Sequence, residues 1–128
     1  MCLRKGRAAR AIGAAALLPG LLATPAQAMP PAEQAKAQAL LLRVETATDV
    51  VFIRNGAQYG AANAAEFLRR KCAKDWGKMA SAREFIVSCA SQSSTSGKPY
   101  LISIKGAAPR PSAEVLTEWL ETIERNAR

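Results

Sequence analysis

The hydrophobic period of this chain changes at Val50, and that change decides its fold class. Upstream, Ala37, Leu40, Leu41 and Val44 recur at helical spacing. A helix therefore opens near Pro30-Pro31 and runs to about Thr46, with Ala47 continuing its buried stripe at a frayed end. Downstream, Val50-Val51-Phe52-Ile53-Arg54 is β-branched and aromatic, and Asn55-Gly56 follows at once. Both central residues of a type I′ turn need positive φ, which Asn and Gly tolerate. The pair predicts a hairpin with a short return strand, Ala57 to Tyr59. A chain that makes a helix and then a hairpin is neither all-α nor all-β.

Helical spacing returns at Ala61, where Ala61, Ala64, Ala65, Leu68 and Cys72 share one face of a second helix running to about Ala73. Asp75-Trp76-Gly77 interrupts it. A third helix opens on a capping box, in which Ser81 accepts from the amide of Glu84 and the Glu84 carboxylate reaches back to Ser81. Its inner face is Ala82, Phe85, Ile86 and Cys89. A loop from Gln92 to Pro99 leads to a strand from Tyr100 to Ile104. Pro109-Arg110-Pro111 breaks the chain before a last helix, with Ser112 as N-cap and Glu114 in the first turn, where the helix dipole favours an acid. Val115, Leu116, Trp119, Leu120 and Ile123 face inward. The expectation is an α+β domain of about four helices on a two- or three-stranded antiparallel sheet, with 50–54 pairing with 100–104.

The first 28 residues have a different purpose. Arg4, Lys5, Arg7 and Arg10 form a cationic start, Ala11 to Ala23 is an apolar run, and Ala26-Gln27-Ala28 closes it with small residues. That order is what an export channel and a signal peptidase require. The apolar run is shorter than the roughly 20 residues of a spanning helix, and Pro19-Gly20 breaks it. The sequence thus divides into a signal peptide over 1–28 and one α+β domain over 29–128, periplasmic or secreted after cleavage near Ala28. No transmembrane segment is expected in the mature chain.

Removing the leader changes the charge argument. The whole chain has 18 basic and 10 acidic residues, a net +8. Four of the basic residues and none of the acidic ones lie in the leader, so residues 29–128 carry 14 against 10, a net +4. A nucleic-acid partner is not expected on that reduced charge in that compartment. Two cysteines remain, Cys72 and Cys89. An even count in an oxidising compartment favours a disulfide, and the alternative is two buried free thiols packed as small apolar residues.

Much chemistry is absent. The chain has no histidine, which removes Ser-His-Asp and Cys-His catalysis and histidine metal sites together. No acid pair sits at a spacing that suggests a metal or glycosidase centre, and nothing calls for a cofactor. Ser94-Thr95-Ser96-Gly97-Lys98 lacks the first glycine of a phosphate loop and precedes a strand rather than a helix. One nucleophilic alternative stays open: a hydrolase using a Ser–Lys pair, Lys98 with Ser93, Ser94 or Ser96.

Two strings carry a resemblance: Phe52-Ile53-Arg54-Asn55-Gly56, followed by Tyr59, Ala64, Ala65, Leu68 and Lys71, and Ser93-Ser94-Thr95-Ser96-Gly97-Lys98-Pro99-Tyr100. Together they resemble the bacterial domain of unknown function 5329, a family of short exported proteins. The resemblance implies an envelope location and a single domain, and it implies no activity. This chain departs from that pattern at Phe67, where the family tends to carry a histidine, and at Gly60-Ala61, where it tends to carry a Ser-type helix cap.

The two strings meet if the hairpin pairs with the 100–104 strand. Arg54, Asn55, Tyr59, Lys71, Ser94, Ser96 and Lys98 would then border one cationic, hydroxyl-rich surface. Such a surface suits a carboxylate or phosphate. The sequence therefore reads as an exported, non-catalytic binding or accessory module for an envelope partner or an anionic small ligand.

Overall fold

The computed structural model describes residues 29–128, and the signal peptide expected over residues 1–28 lies outside them. The elements in order are α1 (Pro31–Thr46), β1 (Val50–Arg54), β2 (Ala57–Tyr59), α2 (Ala61–Cys72), a 3₁₀ segment (Ala73–Lys78), α3 (Ala82–Cys89), β3 (Leu101–Ile104), β4 (Arg110–Pro111) and α4 (Ser112–Asn126). The α+β expectation holds, with four helices and one antiparallel sheet, but the sheet has four strands rather than two or three, in the order β2-β1-β3-β4.

The hairpin turns where the sequence indicates, with Asn55 at φ 52° and Gly56 at φ 82°. Phe52 pairs with Tyr59 on one side and with Ile102 on the other. Because side chains alternate along a strand, Val50, Phe52 and Arg54 share one face of β1, and Tyr100, Ile102 and Ile104 share the matching face of the next strand. This is the face the helices cover. Val50 and Ile102 are buried in the core, and Phe52 and Ile104 pack against it.

α2 and α4 lie against the sheet, and α1 packs across α2, α3 and α4. Most of each helical stripe read from the sequence is buried: Ala37, Leu40, Leu41 and Val44 of α1; Ala64, Ala65, Leu68 and Cys72 of α2; Ala82, Phe85, Ile86 and Cys89 of α3; Val115, Leu116, Trp119 and Leu120 of α4, while Ala61 and Ile123 are only half-buried. Cys72 and Cys89, the last residues of α2 and α3, form a disulfide with a Cα–Cα separation of 5.9 Å.

Three local readings change. Arg110-Pro111 is not only a break: it forms a fourth strand, with Leu101 opposite Pro111 and Ile102 opposite Arg110. An edge position is where a sheet tolerates proline, since no ladder donor is needed on the outer side. Ser112 is the first residue of α4, not its cap, which is Pro111. Its amide donates to Tyr100 O at 2.7 Å and its hydroxyl to Ala90 O at 2.7 Å, so both groups are spent tying α4 to its neighbours. Ser81 does cap α3, accepting from Glu84 N at 3.0 Å. The Glu84 carboxylate, however, accepts from the amide of Ala80, one residue earlier than Ser81. The first helical amide, Ala82 N, donates to Glu33 of α1 at 3.0 Å.

Glu33 also pairs with Lys36, which bridges to Glu124 of α4. The Lys36 ammonium and the Ala82 amide hold the Glu33 carboxyl below its usual range. One acidic side chain thus links α1 to α3 and, through Lys36, to α4.

Candidate functional site

The site is built where the covered face of the sheet runs out of apolar residues. Arg54 continues the Val50–Phe52 series at the open end of β1, so its side chain points along the helix-covered face. There it meets Phe67 of α2. The guanidinium carbon lies 4.3 Å from the Phe67 ring centroid and 5.2 Å from that of Tyr59, and Nη2 donates to the Tyr59 hydroxyl at 2.9 Å. A cation held over aromatic faces keeps much of its charge directed outward, and each such contact is worth about 0.5–1 kcal/mol at a partly exposed position.

Helical spacing supplies the second cation. Ala64, Phe67, Leu68 and Lys71 fall on one side of α2. Phe67 meets Tyr100 edge to face, with centroids 5.9 Å apart and planes at 83°. Lys71 Nζ donates to the Tyr100 hydroxyl at 2.7 Å and to Gln92 O at 2.7 Å. The result is a row, Arg54–Phe67–Tyr100–Lys71, with a cation at each end and two rings between. Burial pulls the Lys71 ammonium below the ordinary lysine range, and the nearby Arg54 charge adds to the effect. Burial pushes the Tyr100 phenol upward, opposed by Arg54.

The ion pairs among the described residues engage Lys36, Arg69, Arg70, Lys78, Arg83 and Arg110, and Arg54, Lys71 and Lys98 take part in none. Arg43, Lys74, Lys105, Arg125 and Arg128 likewise lack an acid partner, so what sets Arg54 and Lys71 apart is their place against the aromatic row.

A polar clamp borders the row. Asn55 Nδ2 donates to Ser93 Oγ at 3.3 Å, and Ser96 Oγ donates to Asn55 Oδ1 at 2.6 Å. Ser93 is buried and organises the loop, receiving the amides of Thr95 and Ser96 on its hydroxyl and that of Gly97 on its carbonyl. The Ser93 amide donates to Lys98 O at 2.9 Å. Gly97 sits at φ 75°, where a Cβ would be strained.

The two strings singled out in the sequence are therefore joined. Arg54 binds Tyr59, Asn55 binds Ser93 and Ser96, and Lys71 reaches across to Tyr100. Ser94 and Lys98 are exposed on the same loop. The hydrogen bonds that join Lys98 to Ser93 and Ser96 use its backbone, not its ammonium. Sequence reasoning missed the central parts, Phe67 and Tyr100. The signal was present for both: Phe67 lies four residues before Lys71 on α2, and Tyr100 occupies the strand position two before core residue Ile102.

Beneath Arg54 the face holds a half-open pocket of ≈ 40 Å³, lined by Phe52, Ala64, Phe67, Leu68, Ile102 and Leu116 among others, with Tyr59 and Tyr100 also on it. Among the described residues no cluster of His, Cys, Asp or Glu could hold a metal ion. No helix among them is long and apolar enough to cross a membrane.

Comparison with known proteins agrees with the resemblance carried by the two strings. The chain belongs to the family described as "Family of unknown function (DUF5329)", which matches residues 31–124. It is similar to the uncharacterized protein YfeK of Salmonella typhimurium (strain LT2), with 35% identity over 68 residues. That match takes in 53% of this chain and 57% of the relative, so the chain spans a little over half the relative's length. No solved structure matches.

Proposed function

We propose that this is an exported, non-catalytic binding module of the cell envelope. Its Arg54–Lys71 face takes the carboxylate or phosphate of a small ligand or partner. The observation that carries the reading is the placement of two cations at the ends of one aromatic row, with their carboxylate partners absent. A guanidinium with spare N–H donors and a partly desolvated ammonium make a receptor for an oxyanion. Lys98, exposed on the loop that Asn55 holds, adds to the positive field at the rim. Export is supported by the leader over residues 1–28 and by a disulfide suited to an oxidising compartment.

The test has two parts. Cell fractionation with mass determination of the purified protein is expected to give a periplasmic species beginning at Met29. A cytoplasmic full-length species would end the export reading. Titration with acetate and with inorganic phosphate, followed by amide chemical shifts, is expected to move resonances around Arg54, Lys71 and Gln92. Combined Arg54→Ala and Lys71→Ala substitution is expected to weaken that response at least tenfold. An undiminished response would remove anion binding from this face.

A further inference from the structure

We propose that the ligand of this face is a small carboxylic acid with a short, branched apolar tail, the tail filling the pocket beneath Arg54 and the carboxylate meeting the Arg54 guanidinium. The inference rests on the anion-binding reading and adds the chemistry of the rest of the molecule.

The cavity wall is almost wholly hydrocarbon: Phe52, Ala64, Phe67, Leu68, Ile102 and Leu116 supply most of it. The two polar side chains deepest in the wall are already engaged. The Ser112 hydroxyl donates to Ala90 O, and the Tyr100 hydroxyl receives the Lys71 ammonium. A water there would find few partners, so the pocket favours an apolar guest over solvent. At the rim the chemistry inverts. Arg54 directs Nη2 to Tyr59, and the other N–H groups of its fork have no acceptor among the described residues.

Size narrows the ligand further. One water needs roughly 10–15 Å³ by the measure that gives ≈ 40 Å³ here, so the cavity takes about three to four heavy atoms. An isopropyl group fits that space. Inorganic phosphate would place charge against hydrocarbon. An amino acid brings an ammonium toward the Arg54 guanidinium.

The experiment compares acetate, isobutyrate, isobutyramide and inorganic phosphate on the purified protein by amide chemical shifts. Each buried methyl or methylene raises affinity about fourfold, so isobutyrate, with two more carbons, is expected to bind about fifteenfold more tightly than acetate. Isobutyramide, with the same tail and no charge, is expected to bind at least tenfold more weakly than isobutyrate. Ala64→Leu fills the cavity and is expected to bring isobutyrate down to the level of acetate while acetate itself still binds. Should that variant not fold, contacts between the isobutyrate methyls and those of Ile102 and Leu116, read as intermolecular Overhauser effects in the unsubstituted protein, decide the point. Equal affinities for acetate and isobutyrate, or absent methyl contacts, would overturn the tail assignment and leave anion binding standing. No response to any of the three anions would overturn both.

Discussion

The ammonium of Lys71 donates to the Tyr100 hydroxyl at 2.7 Å while lying 4.6 Å from the centroid of the same ring. These residues are 29 positions apart and belong to different layers, one on α2 and the other leading into β3. Their contact fixes the spacing between helix and sheet at the point where the core gives way to charge. Removing only the hydroxyl isolates it. Tyr100→Phe keeps the edge-to-face packing on Phe67 and leaves the ammonium one acceptor short. A hydrogen bond with one charged partner contributes about 1.5–3 kcal/mol when buried, and partial exposure here brings the expected loss to about 1 kcal/mol. Urea unfolding reads it directly. An unchanged midpoint would mean that water replaces the phenol at no cost.

The depressed Lys71 midpoint gives a second, independent check. Burial is its larger cause and the charge of Arg54 its smaller one. A lysine lowered on folding binds fewer protons than in the unfolded chain between its folded and unfolded midpoints, so stability from this residue rises with pH across that alkaline interval. Below the folded midpoint the cost of holding the buried charge is constant. Arg54→Gln removes the repulsion and leaves the burial. The Lys71 side-chain resonance is expected to titrate at higher pH in the variant, yet still below the ordinary lysine range, since burial persists. Anion binding at this face should weaken as pH rises through the same midpoint. If Arg54→Gln left the midpoint in place, the two cations would not be coupled.

What could be read from the sequence was set by periodicity and by turn chemistry. The four helical stripes and the Asn55-Gly56 hairpin announce themselves because one local rule decides each of them. Ser112 misled because a serine before an apolar run has the pattern of a cap. Its burial against Ala90 and Tyr100 is a tertiary fact that no local window holds. The fourth strand failed for the related reason that proline argues against a strand unless the strand is known to lie at an edge. In the site, Arg54, Lys71, Asn55 and Ser96 stood out by residue type. Phe67 and Tyr100 did not, because an aromatic residue on a core-facing stripe reads as packing until the cations around it are placed.

The Asn55–Ser93–Ser96 clamp separates a conformational role from a bonding one. Asn55 sits at φ 52°, a region that glycine also occupies freely. Asn55→Gly therefore preserves the turn while deleting the bonds to Ser93 and Ser96. The hairpin register, with Phe52 opposite Tyr59, is expected to persist in strand amide shifts. The amides of Thr95, Ser96 and Gly97 are expected to exchange with solvent several-fold faster, since the loop would keep only its internal contacts. Unaltered exchange there would show that Ser93 alone holds the loop and that the clamp adds nothing.

The disulfide has a consequence for the site as well as for stability. Cys72 follows Lys71 directly, and Cys89 lies three residues before Gln92, whose carbonyl Lys71 holds. The bond therefore fastens the two chain segments that the Lys71–Gln92 contact joins. Closing a loop with a sequence separation of 17 stabilises by about 3 kcal/mol in the chain-entropy model. Cys72→Ala with Cys89→Ala is expected to lose about that amount in urea unfolding, because both side chains stay small and apolar in a buried setting. The same variant should release Lys71 from Gln92, so its resonance is expected to move toward that of an exposed lysine and the response to acetate to fall. A variant that lost stability but kept both the Lys71 midpoint and the acetate response would show that α2 and the 90–92 segment hold the site without the bond.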